Sequence, residues 1–223
     1  SISVARTPSS DALTQNMEQL VSGINYTRIQ SHVEFFSSIN SRATGYPGSL
    51  EAANYIAREF EKNGLDVTWQ SYETAIPLDE GSYIYARDPY AMNITAYALW
   101  PNGGISASVI SNLSGKLYYV GDGSLRALNG INLADAILLM DFNSGSNWID
   151  AANLGAKAVV FMEPYSTDMY ESLAKASSSA INFPRLYVNE TGANILMELT
   201  KTHPTVALHS RMVWKKITAY NII

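Results

Sequence analysis

Apolar residues at Tyr26, Ile29, Val33, Phe36 and Ile39 recur at steps of three and four, the spacing that lines one face of an α-helix. The following stretch, 41–48, is a loop by its Gly45, Pro47 and Gly48. Ser49 then stands as an N-cap, with Glu51 in the positive first turn of a second helix. Leu50, Ala53, Ile56, Ala57 and Phe60 form its buried face, and Gly64 supplies a left-handed stop. Val67 and Trp69 alternate with Thr68 and Gln70, the mark of a half-buried strand. Pro77, Gly81 and Pro89 punctuate a polar stretch, which makes 77–93 the predicted linker.

Beyond that point the pattern changes to short strands at 94–99, 109–110 and 116–120. Residues 136–140 (Ala-Ile-Leu-Leu-Met) are apolar throughout, as a strand covered on both faces must be. The Asn143–Asn147 turn leads into a helix from Trp148 to Leu154, stopped by Gly155, and then into a second apolar run at 158–162. Strand, turn, helix and strand in this order make a βαβ crossover. A short strand at 185–188 follows Phe183-Pro184, and a helix directs Ala193, Leu196, Met197 and Leu199 inward. Val206, Leu208, Ser210, Met212 and Trp214 share one parity in a late strand, and 217–223 are largely apolar to the last residue. Such an abrupt apolar ending reads as a strand cut short.

Composition narrows the function classes. The chain has 223 residues, 47% hydrophobic and 16% charged, enough to bury a core and too apolar for intrinsic disorder. A net charge of −5 argues against nucleic acid, which needs a basic stripe. No run approaches the roughly 18 apolar residues of a membrane span. The first six residues, Ser1 to Arg6, lack the basic and apolar regions of a signal peptide. The absence of Cys removes disulfides, thiolate metal sites and cysteine nucleophiles together. Four N-glycosylation sequons, at Asn25, Asn93, Asn112 and Asn189, are close to the number that this Asn, Ser and Thr content gives by chance.

The chemistry visible in the side chains is sparse. Zinc in a Cys-free chain needs His and carboxylates converging, and only His32, His203 and His209 are available. On a helix, His32 and Glu34 point about 200° apart and cannot share a metal. No Gly-x-Ser-x-Gly elbow occurs. Gly121-Asp122-Gly123-Ser124 lacks the third glycine of a dinucleotide fingerprint and reads as a tight turn between strands. Asp141 and Glu163 each end a strand of the βαβ unit, so both belong at the carboxyl edge where open α/β sheets gather ligands. Two readings stand for them: a paired acid–base role, or solvation of strand ends. With Asn143, Ser144 and Asn147 of the intervening turn, they form the set expected to touch substrate.

Several segments resemble the zinc-dependent aminopeptidases, the family that includes the glutamate carboxypeptidases and the transferrin-receptor ectodomain. The Arg42–Gly45 loop followed by Ala52-Ala53-Asn54-Tyr55-Ile56 is similar to that family's opening. The central block is similar to a protease-associated domain: Gly115–Gly121, the apolar strand at 136–140, Ala151-Ala152-Asn153-Leu154-Gly155-Ala156 running into 158–161, and Phe183-Pro184. Thr218–Ile223 is similar to the strand that opens the family's catalytic core. The resemblance implies a mixed α/β fold, with a helical segment at 1–75, a swivelling β/β/α protease-associated domain with two small sheets at 76–215, and the start of a catalytic-domain strand at 216–223. It implies zinc in a missing catalytic domain and none here, since no His is followed at the second position by Asp.

The role so implied is noncatalytic, with no catalytic or metal-ligating residue in this sequence. The chain would be the accessory region of a secreted or surface aminopeptidase-like metallopeptidase, limiting substrate access or mediating protein contacts. A stand-alone receptor or sorting module and a hydrolase using Asp141 and Glu163 are the alternatives. Expected partners are a peptide or protein substrate, the missing catalytic domain, and a second copy through exposed apolar surface.

Overall fold

The computed structural model describes residues 10–99, 109–176 and 181–223; Ser1 to Arg6, read above for a signal peptide, lie outside them. The chain forms two compact units, Ser1–Tyr72 with Ala219–Ile223 and Glu73–Thr218. Each has its own packing.

The first unit holds α1 (Ser10–Ser22), α2 (Tyr26–Ser38) and α3 (Pro47–Lys62). Asn25 caps α2 by accepting the Arg28 N–H at 2.9 Å. The second predicted helix begins earlier than its Ser49 suggests: Tyr46 is the N-cap and Pro47 occupies the first turn, where its missing N–H costs nothing. Gly64 does close α3 with a positive φ of 77°. Aromatic contact joins α2 to α3: Tyr55 stacks on Phe35 at 3.8 Å between ring centroids, meets Phe36 edge-on, and hydrogen-bonds His32 Nδ1 at 2.6 Å. The predicted α2 stripe is otherwise bare. Tyr26, Ile29 and Val33 are exposed and only Ile39 is buried, while Leu50 and Phe60 of α3 are exposed as well. At the strand end of this unit, Thr68 and Ile223 exchange both backbone hydrogen bonds, and Trp69 packs edge-on against Tyr220.

The strands are β1 (Trp69–Ala86), β2 (Met92–Ala98), β3 (Val109–Tyr119), β4 (Ala136–Asp141), β5 (Ala158–Met162), β6 (Arg185–Val188) and β7 (Thr205–Ile222). They form one closed barrel in the order β1-β2-β6-β5-β4-β3-β7, where two small sheets were expected. Strands β3, β4, β5 and β6 run parallel; β2 joins β6, and β7 joins β3, antiparallel. Short helices α4 (Leu125–Leu128), α5 (Trp148–Asn153) and α6 (Met169–Ala174) and the longer α7 (Glu190–Thr200) complete the mixed α/β fold.

The predicted linker at 77–93 is mostly strand. Pro77 is buried within β1, and the polar residues that imitate a linker are consumed internally. Asp79 accepts hydrogen bonds from Gly81 N–H, Ser82 Oγ and Ala98 N–H, and Ser82 reaches buried Ser210 Oγ at 3.2 Å. Only 87–91 is a connection, leading into β2. The strands read separately at 109–110 and 116–120 are one strand interrupted by a bulge between Ile110 and Leu113. The late segments likewise merge into the 18 residues of β7, along which Trp214 turns out to be exposed.

Continuous apolarity in β4 and β5 has a direct cause. Ile137, Leu139, Ala158 and Val160 face a cluster that includes residues of all seven strands and Leu196 and Leu199 of α7. Leu138, Met140, Val159 and Phe161 face the opposite cluster, with Trp148 and Ala151 of α5 and Leu128 of α4. Neither parity meets water, so alternation is lost. Phe161→Ala is expected to cost about 3–5 kcal/mol by urea unfolding, against no more than about 0.5 kcal/mol for Val33→Ala on the bare face of α2. Equal losses would contradict this division of the core.

Candidate functional site

Parallel pairing in register brings the carboxyl ends of β4 and β5 side by side, with Asp141 opposite Met162. Asp141, Phe142, Asn143, Met162, Glu163, Pro164 and Tyr165 line a cleft of about 280 Å³ there. Three of the five residues singled out from the sequence, Asp141, Asn143 and Glu163, therefore come together.

The other two do not reach it. Ser144 is buried, and its hydroxyl faces the Phe142 carbonyl at 3.4 Å. Asn147 turns away and donates from Nδ2 to the Asp122 carbonyl at 2.8 Å, tying α5 to the turn after β3. In that turn Gly123 has a φ of 66°, and a Cβ there would run into Met140. The turn opens the four-residue helix α4, capped by Ser124, rather than a further strand.

Both carboxylates are held by tyrosines. Tyr119, ending β3, donates from its hydroxyl to Asp141 Oδ1 at 2.9 Å. Tyr187 of β6 hydrogen-bonds Glu163, whose Oε2 also accepts the Glu190 N–H at 2.7 Å at the start of α7. Burial, followed by the bond and charge of Asp141 and the charge of Asp122, pushes the Tyr119 hydroxyl up to about 12. Burial and the neighbouring Glu163 push Tyr187 to about 12 as well. Both tyrosines thus remain protonated donors at neutral pH. Asp141 and Glu163 thus each accept a hydrogen bond from a tyrosine of the flanking strand. Neither tyrosine stood out in the sequence; the signal was their place at the ends of strands flanking β4 and β5.

A partly buried ionic cluster stands behind Phe142 of the cleft. Lys175, nearly buried, donates to the Gly145 carbonyl at 2.8 Å and to Glu171 Oε2 at 3.1 Å, with its ammonium 5.2 Å from the ring centroids of both Phe142 and Phe161. Glu171 Oε2 also accepts the Gly145 N–H at 2.9 Å, and Asn143 Nδ2 donates to the Ser166 carbonyl at 2.8 Å. Arg185 stands over the Trp148 ring and donates to the Lys175 carbonyl; burial pushes its guanidinium down to about 10.

No histidine is among the residues that line this cleft. His32 bonds Tyr55, His203 stacks on Tyr118 with a positive φ of 46°, and His209 stacks on Tyr83. Among the described residues no three His, Asp or Glu converge to hold a metal. No helix among them is long and apolar enough to cross a membrane.

No family model and no curated protein matches the sequence. Among solved structures, the chain is similar to a peptidase M28 precursor from Shewanella amazonensis SB2B, with a TM-score of 0.57 and 14% identity over 86% of this chain and 48% of that one. An aminopeptidase from Aneurinibacillus sp. strain AM-1 gives a TM-score of 0.45 and 18% identity over 86% of this chain and 45% of that one. The chain spans about half the length of each. The likeness to the Shewanella peptidase is one of fold, a mixed α/β architecture related to that of M28 peptidases.

The Gly145–Glu171–Lys175 cluster has a pH signature. The Gly145 N–H, and Lys175 beside it, hold the Glu171 carboxyl below its ordinary 4.5 although burial opposes them. A carboxyl lowered on folding adds stability above its unfolded pKa and loses it as pH falls through the folded value. Glu171→Gln is expected to lower Tm at neutral pH, with the gap to the unsubstituted chain closing below about pH 4. A gap that stays constant in thermal unfolding down to about pH 3 would contradict this role.

Proposed function

We propose that this chain is the noncatalytic N-terminal and protease-associated region of an aminopeptidase-like zinc metallopeptidase acting outside the cell or at its surface. Its part is to shape peptide access to the catalytic cleft. The observation that carries this reading is the fold likeness to an M28 peptidase over 86% of the chain, joined to segments in the order that family uses. The zinc ligands belong to the catalytic core of the longer enzyme.

A domain without chemistry contributes to peptide hydrolysis by holding the substrate. Contacts remote from the scissile bond reduce the freedom of the bound peptide and so raise the fraction correctly placed for attack. The Asp141–Glu163 edge offers such contacts, with oriented carboxylates and apolar walls on a rigid sheet.

Elemental analysis for zinc, run beside hydrolysis of aminoacyl-anilide substrates on the same preparation, tests this directly. The expected outcome is no bound zinc and no turnover. Stoichiometric zinc together with turnover would mean a complete active site and would overturn the accessory role.

A further inference from the structure

We infer that the cleft at the carboxyl ends of β4 and β5 is a subsite for one basic side chain of a peptide, arginine above all; this rests on the accessory role proposed above. Size is the first reason. Pockets for whole small molecules run to roughly 300–1,000 Å³. At about 280 Å³ this cleft suits a single long side chain instead.

Charge is the second. The lining carries two carboxylates, Asp141 and Glu163, and neither Lys nor Arg. Lys175, beneath Phe142, is spent on Gly145 and Glu171. The Tyr119 hydroxyl takes Asp141 Oδ1 and leaves Oδ2 for an incoming donor. An ionised carboxylate accepts at about four lone-pair sites, so Glu163 also keeps capacity beyond Glu190 and Tyr187.

The rest of the lining matches the remainder of an arginine. Met162 and Pro164 offer apolar surface to its methylene stem, while the exposed ring of Tyr165 suits a planar guanidinium. Tyr165 is fully exposed, and Met169, Tyr170 and Leu173 lie open to solvent on the next helix. A folded chain that leaves large side chains in water beside a charged cleft presents a surface that a peptide can cover. Guanidinium recognition by carboxylate and aromatic face together separates arginine from a neutral chain of equal length.

The test is an amide NMR titration of the whole chain with short capped peptides, Gly-Arg-Gly-Gly and its norleucine counterpart. Arginine is expected to shift the amides of 141–145 and 162–165 and to bind roughly tenfold more tightly than norleucine, the gap narrowing with added salt. Asp141→Asn with Glu163→Gln keeps acceptors for Tyr119 and for the Glu190 N–H, and should erase most of that preference. Equal binding of the two peptides, no binding, or shifts confined to other regions would overturn the subsite. The norleucine comparison holds even if the double variant misfolds. A silent titration with a zinc-free, inactive chain removes the subsite alone, whereas zinc and turnover remove the accessory role whatever the titration shows.

Discussion

Burial of β4 and β5 on both faces is the constraint from which the larger unit follows. A parallel strand cannot return through a tight turn, so each crossover must climb over the sheet and lie against it. Helix α5 covers one face, in contact with Met140 and Phe161 through Trp148. On the other, the barrel closes around Leu139 and Val160, and α7 packs against the same cluster. Apolar burial at roughly 25 cal/mol per Å² makes these strands the main source of stability, and leaves little for the exposed face of α2.

The same geometry determines where chemistry can sit. Because β3 to β6 run in one direction, their carboxyl ends share one edge, and the side chains that end them are brought together without a dedicated motif. Tyr119, Asp141, Glu163 and Tyr187 are neighbours for that reason. Beneath them, Lys175 is accepted into an apolar environment because a carbonyl, a carboxylate and two aromatic faces replace its water. The edge so formed is acidic, with Asp141 and Glu163 lining one cleft.

Legibility in the sequence followed the strength of the local signal. The βαβ unit was readable because two uninterrupted apolar runs flank a short helix with a glycine stop. β1 was misread because Pro77, Asp79 and Gly81 look like linker residues. Asp79 binds Gly81 and Ser82 locally but also takes the Ala98 N–H of β2, and Ser82 reaches Ser210 of β7, partners that no local pattern reveals. Likewise, β7 read as two segments since the charged pair Lys215-Lys216 interrupts its apolar pattern. At the site, Asp141, Asn143 and Glu163 followed from strand ends. Ser144 is buried and Asn147 donates to the Asp122 carbonyl, placements that depend on how the turn folds and that no strand-end pattern reveals. Tyr119 and Tyr187 act through pairing between strands distant in sequence, and only the assembled sheet shows it.

Hydrogen–deuterium exchange on the whole chain, followed residue by residue, tests most directly whether β4 and β5 are the scaffold beneath the cleft. Their amides should exchange last, together with those of β6, well after the amides of α1 and α2. Exchange of β4 and β5 as early as those helices would contradict a cleft built on a rigid, doubly buried edge.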